Sequence, residues 1–230
     1  MPRKAAILDV TAIIAGVGGV IDVNRIEDEA TDSVVDAAAE LLARYGLRRW
    51  SMDDVADVAG VGRATVYRRF ASREDLVHAT IAREINRFFA AIARAVADAE
   101  GVEEKVVEGF LVGMRMATES LVPGLFENDK ATALSLFTAA PVLHLGRAAL
   151  VSQYETLTGE TMDGRRRAEV ELVAEVLVRL AISFVLMPGS VVDFEDPGEA
   201  RAALTRIVRP LLQPPQNEPR PRRPRRPARR

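Results

Sequence analysis

The chain of 230 residues has no cysteine, and only three lysines, two histidines, three tyrosines and one tryptophan. Without cysteine there is no disulfide framework, no cysteine-based zinc site and no thiol nucleophile, and a reducing compartment fits best. Neither histidine has a carboxylate at the spacing of a His-Glu-x-x-His metal site, and no Gly-x-Ser-x-Gly nucleophile elbow occurs. His78 is expected as a surface or linker residue and His144 as a satisfied core histidine. An apolar run from Ala12 to Ile21, broken by Gly16, Gly18 and Gly19, is too short to span a membrane and lacks a clear small-x-small cleavage site. Its GVGG is similar to a nucleotide-binding loop, but the third glycine of the dinucleotide fingerprint would fall on Ile21 and no strand-and-helix alternation follows. Neither enzyme chemistry nor a cofactor is expected, and a cytoplasmic location is.

What remains is a chain of 48% apolar and 28% charged residues, enough to bury a core. Aromatics supply only 5%; alanine, valine and leucine carry the apolar content, a mixture suited to closely packed helices. Arginine outnumbers lysine 28 to 3, a bias expected of a GC-rich bacterial genome. The net charge of −2 conceals an asymmetry: ten Arg against six acidic residues from Arg44 to Arg94, but eleven basic against eighteen acidic from Ala97 to Gln213. Positive charge is concentrated where a polyanion would dock.

Apolar positions Val34, Val35, Ala38, Leu41 and Leu42 recur at helical spacing from Thr31 to Tyr45, and Gly46 supplies a helix stop. Two short helices follow, and Ser72 with Glu74 and Asp75 opens a long one. Further helices are predicted over Val102 to Val122, Glu127 to Ala139, Val142 to Leu157, Arg165 to Met187 and Pro197 to Leu212. The dipeptides Pro123-Gly124, Thr158-Gly159, Asp163-Gly164 and Pro188-Gly189, together with Pro141, punctuate them. No strand pattern competes. The last 17 residues carry seven Arg among prolines and are expected to be disordered, either solubilising or touching nucleic-acid phosphates without sequence preference.

The informative segment is SMDDVADVAGVGRATVYRRF, residues 51–70. Ser51 can cap a helix whose first turn holds Asp53 and Asp54. Val55 and Val58 are expected to face inward, Ala56 is small where a second helix must cross, and Gly60 can turn the chain. Val61 would pack beneath the turn, and a second helix from Arg63 to Phe70 would bury Val66 and Phe70. Its other face offers Arg63, Ala64, Thr65, Tyr67 and Arg68, a set suited to a major groove: arginine reaches guanine edges, alanine permits close approach, and hydroxyls hold phosphates. These are the requirements of a helix-turn-helix.

GVGRATVYRRF followed by SREDL resembles the recognition helix and fourth-helix start of the TetR repressor family, and VVDAAAELLARYG upstream resembles its first helix. The resemblance is specific over about residues 31–80. It implies an all-α fold: an N-terminal extension over 1–27, a three-helix DNA-binding domain over 28–87 joined by the long fourth helix to a ligand-binding and dimerisation domain over 88–213, then a tail over 214–230. Arg63, Ala64 and Arg68 match base-facing positions, Thr65 and Tyr67 phosphate-contacting ones, Arg73 a basic residue at the fourth helix's start that is expected to hold a phosphate, and Ser51 the second helix's cap. Gly62 stands where serine is common, losing a side-chain cap or phosphate contact but keeping its backbone amide. Trp50 stands where threonine is common, and its bulk is expected at the hinge between the DNA-reading helices and the fourth helix.

The resemblance further implies a homodimer on a near-palindromic double-stranded operator, released by a small-molecule effector. Apolar stripes place Val173, Leu177, Leu180 and Phe184, with Leu204, Ile207, Val208 and Leu211, in the expected dimer interface. Phe88, Phe110, Met114, Phe126, Phe137 and Tyr154 are candidate walls for a largely apolar effector, although such stripes are more often plain core. A binder driven by the Arg-rich tail instead would lose all affinity with salt, whatever the sequence bound.

Overall fold

A computed structural model describes residues 29–213 apart from Arg48, Ala139, Glu160 and Pro188. The expectations for the 1–27 extension and the 214–230 tail lie outside the described residues. Among those described there are ten helices and no strand. They are α1 (Glu29–Tyr45), α2 (Met52–Ala59), α3 (Arg63–Arg69), α4 (Arg73–Ala97), α5 (Gly101–Glu119), α6 (Val122–Asn128), α7 (Lys130–Thr138), α8 (Ala140–Thr158), α9 (Gly164–Leu186) and α10 (Pro197–Leu212). No helix is long and apolar enough to cross a membrane, among the described residues.

The first three helices and the start of α4 share one core. Val34, Val35, Ala38, Leu41 and Leu42 of α1 meet Val55 and Ala56 of α2, Val66 of α3, and Leu76, Val77 and Ile81 of α4. Val58, expected inward, is 45% exposed. The buried arc of this eight-residue helix runs through Met52, Val55 and Ala56, with Ala59 packed beside it, and position 58 falls outside that arc.

A 25-residue α4, roughly 37 Å long, carries the chain away from this core. Its far half packs along α5, where Gly109 and Gly113 lie against Ile92, Val96 and Phe88. A second core joins Val107, Phe110 and Met114 of α5 to Leu177 of α9 and Leu204 and Val208 of α10. The stretch read as one helix from Glu127 is two, α6 and α7, meeting at Asp129. Pro123-Gly124 falls inside α6 because proline is tolerated in a first turn, where its missing N–H has no partner to lose. Gly124 is required there for another reason: a Cβ would collide with the carbonyl of Ala43 in α1.

Candidate nucleic-acid interface

Two side chains and one turn fix the geometry of α2 and α3. Ser51 caps α2: its hydroxyl accepts from the Asp54 amide at 3.3 Å, and the Asp54 carboxylate accepts from the Ser51 amide at 2.7 Å. The Ser51 hydroxyl also donates to that carboxylate at 2.7 Å, and this bond first, then the one from the Ser51 amide, holds the Asp54 carboxyl below its ordinary pKa. Gly60 then adopts φ 65°, ψ 27°, where any side chain would be strained, and the Val61 amide returns to the Ala56 carbonyl at 3.0 Å. The chain thereby reverses into α3 within three residues.

Val66, fully buried, anchors α3, and Phe70 packs partly against the same core. Arg63, Ala64, Tyr67 and Arg68 are consequently turned outward, Tyr67 with 54% of its surface exposed, while Thr65 is half-buried. Gly62 caps α3 with no side-chain hydrogen bond, as expected from its composition. Arg63 is not loose: its Nη1 lies 3.1 Å from Asp53 of α2, a pairing the sequence reading did not anticipate.

Arg73 points inward instead. Its Nε donates to the Trp50 carbonyl at 3.0 Å, Nη2 donates to the Leu47 carbonyl, and the guanidinium lies 4.1 Å from the centre of the Trp50 ring. Partial burial lowers its pKa, with Glu74 acting in the opposite direction. Trp50 is buried and donates from Nε1 to the Gly46 carbonyl at 2.8 Å, so it fills the hinge as its bulk implied. The same corner is held from beyond α5, because Asn128 donates to the Ala43 carbonyl at 3.2 Å and Asp129 accepts from the Leu47 amide at 3.3 Å. These partners are more than 80 residues apart, and no local signal could have revealed them.

The candidate effector residues fall into four neighbourhoods. Phe126 and Phe137 stack at 5.9 Å, with Phe126 against the first core. Phe110 and Met114 belong to the second core, where Phe184 and Phe194 meet Phe110. Phe88 lies on the seam with α5 and meets Phe89 edge to face. Tyr154 sits at the junction of α8 and α9, its hydroxyl accepting from Arg166 Nη2 at 2.7 Å. Of the candidate dimer residues, Leu177, Leu204 and Val208 are buried in the chain's own second core. Val173, Leu180, Phe184 and Leu211 pack against that core, and Ile207 is half-buried. The apolar surface left open on α9 is instead Leu172, 66% exposed, and Val176, 39% exposed. His144, expected in the core, is exposed, and His78 is half-buried on α4. Among the described residues no His, Cys, Asp or Glu group is arranged to hold a metal.

Residues 34–80 match the family model for bacterial regulatory proteins of the tetR family. An uncharacterised HTH-type transcriptional regulator of Mycobacterium tuberculosis is 27% identical over 193 residues, spanning 83% of this chain and 89% of that protein. The HTH-type transcriptional regulator AlkX of the same organism is 28% identical over 190 residues, 79% of this chain and 84% of AlkX. The crystal structure of the TetR-family repressor AlkX from Dietzia sp., implicated in biodegradation of n-alkanes, superposes with a TM-score of 0.52 at 25% identity, covering 78% of this chain and 93% of that one. A TetR-family regulator from Streptomyces coelicolor shares the fold, with a TM-score of 0.54 at 20% identity over 80% of this chain and all of the other. The all-helical architecture, the family match over residues 34–80 and these likenesses make the helix-turn-helix of α2 and α3 the DNA-binding domain of a TetR-family transcriptional regulator.

Proposed function

We propose that the chain is a homodimeric, ligand-responsive repressor that reads a near-palindromic operator with α3. The observation that carries this reading is the division of α3 into a face anchored by buried Val66 and a face offering Arg63, Ala64, Tyr67 and Arg68. On that face Arg63 and Arg68 suit guanine edges, Ala64 allows close approach to a base, and Tyr67, Thr65 and the Gly62 amide suit phosphates. Ser51, exposed at the start of α2, adds a phosphate contact beside its capping role. Arg73 serves the interface from behind: with its guanidinium turned to the Leu47 and Trp50 carbonyls, it holds the corner that aims α2 and α3 rather than a phosphate.

A second copy is assigned to the α9 face bearing Leu172 and Val176, and reading two half-sites one turn of DNA apart requires the two recognition helices to stand about 34 to 36 Å apart. The effector is assigned an apolar, aliphatic body. Support comes from the Phe, Met and Leu composition between the helices and from likeness to AlkX proteins, one of them implicated in n-alkane biodegradation. Release follows a population shift in which ligand favours a head spacing that no longer matches the operator.

Recovery of bound fragments from genomic DNA tests the core of this reading. Enrichment of a shared inverted repeat, and its loss on adding a long-chain alkane or fatty acid, are expected. Recovery of fragments with no shared sequence would overturn the operator reading. Operator affinity unchanged by every compound that binds the protein would overturn the ligand response.

A further inference from the structure

Asp53 and Asp54 are adjacent carboxylates in the first turn of α2, and they have different partners. Asp54 is committed to Ser51, accepting from both its amide and its hydroxyl at 2.7 Å. Asp53 reaches across the turn to Arg63, the first residue of α3, with its Oδ2 3.1 Å from Nη1. Both members stay open to solvent, with 68% of the Arg63 side chain and 40% of the Asp53 side chain exposed. Such a pair adds little to stability. Its effect lies elsewhere: an arginine side chain has many rotamers, and a carboxylate that engages one edge of the guanidinium leaves the other donors of the planar fork aimed outward.

From this geometry we infer that Asp53 is a specificity-determining residue for DNA reading. It positions Arg63 toward base edges and keeps it from the neighbouring phosphates. The inference rests on the proposal that Arg63 reads bases. Two effects act together. The ion pair restricts the rotamers of Arg63 before DNA arrives, and the negative charge of Asp53 beside the groove is repelled by phosphates, which penalises every complex lacking a compensating base contact. Wild-type protein therefore gives up some general affinity for DNA and gains discrimination.

The test is selection of duplexes from a random pool by full-length wild type, Asp53→Asn, Asp53→Glu, Arg63→Ala and the Asp53→Asn, Arg63→Ala double variant, followed by titration of selected and random duplexes. Asp53→Asn should tighten binding to random duplex by roughly two- to fivefold, the worth of one exposed charge. It should also lower the ratio of selected to random affinity by about tenfold, the lower end of one base contact's worth. Asp53→Glu should recover part of the discrimination, and Asp53→Asn should have no further effect on it once Arg63 is alanine. Equal tightening on selected and random duplexes, or a full loss of discrimination in the double variant beyond that of Arg63→Ala, would overturn the role of Asp53 alone. Arg63→Ala with unchanged preference would overturn base reading by Arg63, and the Asp53 assignment with it.

Discussion

The DNA-reading head and the C-terminal half, proposed to be the regulatory one, enclose their apolar side chains to different degrees. In the head Val34, Ala38, Val55, Val66, Leu76 and Val77 are completely buried. In the regulatory half, the 23-residue α9 buries only Ala174 and Leu177, and Leu172, Val176, Met187 and Val191 remain exposed. A head whose core is finished within one chain can be carried as a rigid body. A half that leaves apolar surface in water, at about 25 cal/mol per Å², suits the proposed second copy.

The largest effect that sharpens this contrast comes from truncating a leucine in each region. Leu76→Ala should lower the free energy of unfolding by about 3 kcal/mol, whereas Leu172→Ala should change it by less than about 0.5 kcal/mol. Urea denaturation of the full chain, dilute enough to separate copies, would measure both, and equal losses would break the comparison. Next in size is the association itself. Replacing Leu172 and Val176 together by glutamate should raise the dimer dissociation constant at least about tenfold by sedimentation, with the circular dichroism unchanged. A dimer of undiminished strength would place the partner on another face.

A third change addresses the join between the regions. Gly124→Ala puts a methyl group against the Ala43 carbonyl, so α6 must move away from α1 at a cost of about 1 to 3 kcal/mol. Hydrogen exchange of the Leu47 amide, bonded to Asp129, reports whether that joint has opened. Protection at Leu47 equal to wild type would mean that the regions are not seated through this contact.

The two regions also differ in how much their sequences disclose. The head's requirements are local: Ser51 and Asp54 are three residues apart, Gly60 makes the turn, and Val66 lies on the next helix, so its motif is legible in twenty residues. Even there Val58 misleads, because a helix of eight residues is too short for periodicity to fix the width of its buried arc. In the regulatory half periodicity finds apolar faces but not what covers them. Leu177, Leu204 and Val208 look the same in sequence whether α5 or a second copy lies over them, and here it is α5 of the same chain. Asn128, Asp129 and Asp53 could not be read at all as partners, since only the tertiary fold brings them to Ala43, Leu47 and Arg63.

The head's completeness has an acid limit. The folded pKa of Asp54 lies below its unfolded value, so its capping contribution is present in full above the unfolded value and is lost as pH falls through the folded one. Asp54→Asn cannot follow that titration. Its stability deficit relative to wild type should be greatest near roughly pH 6 and shrink toward roughly pH 3, as measured by denaturant titration at each pH. A deficit independent of pH would show that the charge on Asp54 plays no part in the cap.

The smallest effect concerns an opening left in the head. Gly62 caps α3 with φ −70° and ψ 144°, a conformation open to any residue, and nothing lies within 4 Å of where its Cβ would stand. A serine hydroxyl there could accept from an amide of the first turn of α3, and exchanging a glycine cap for serine is worth only about 0.3 kcal/mol. Gly62→Ser should therefore stabilise the head slightly. Because the cap also faces the proposed phosphate side, it should tighten DNA binding by about twofold on all sequences alike, without altering preference. Thermal unfolding and duplex titration measure the two gains separately. A destabilised Gly62→Ser protein would mean that the turn into α3 is under a constraint beyond cap geometry, and the head would then be less complete than its buried core indicates.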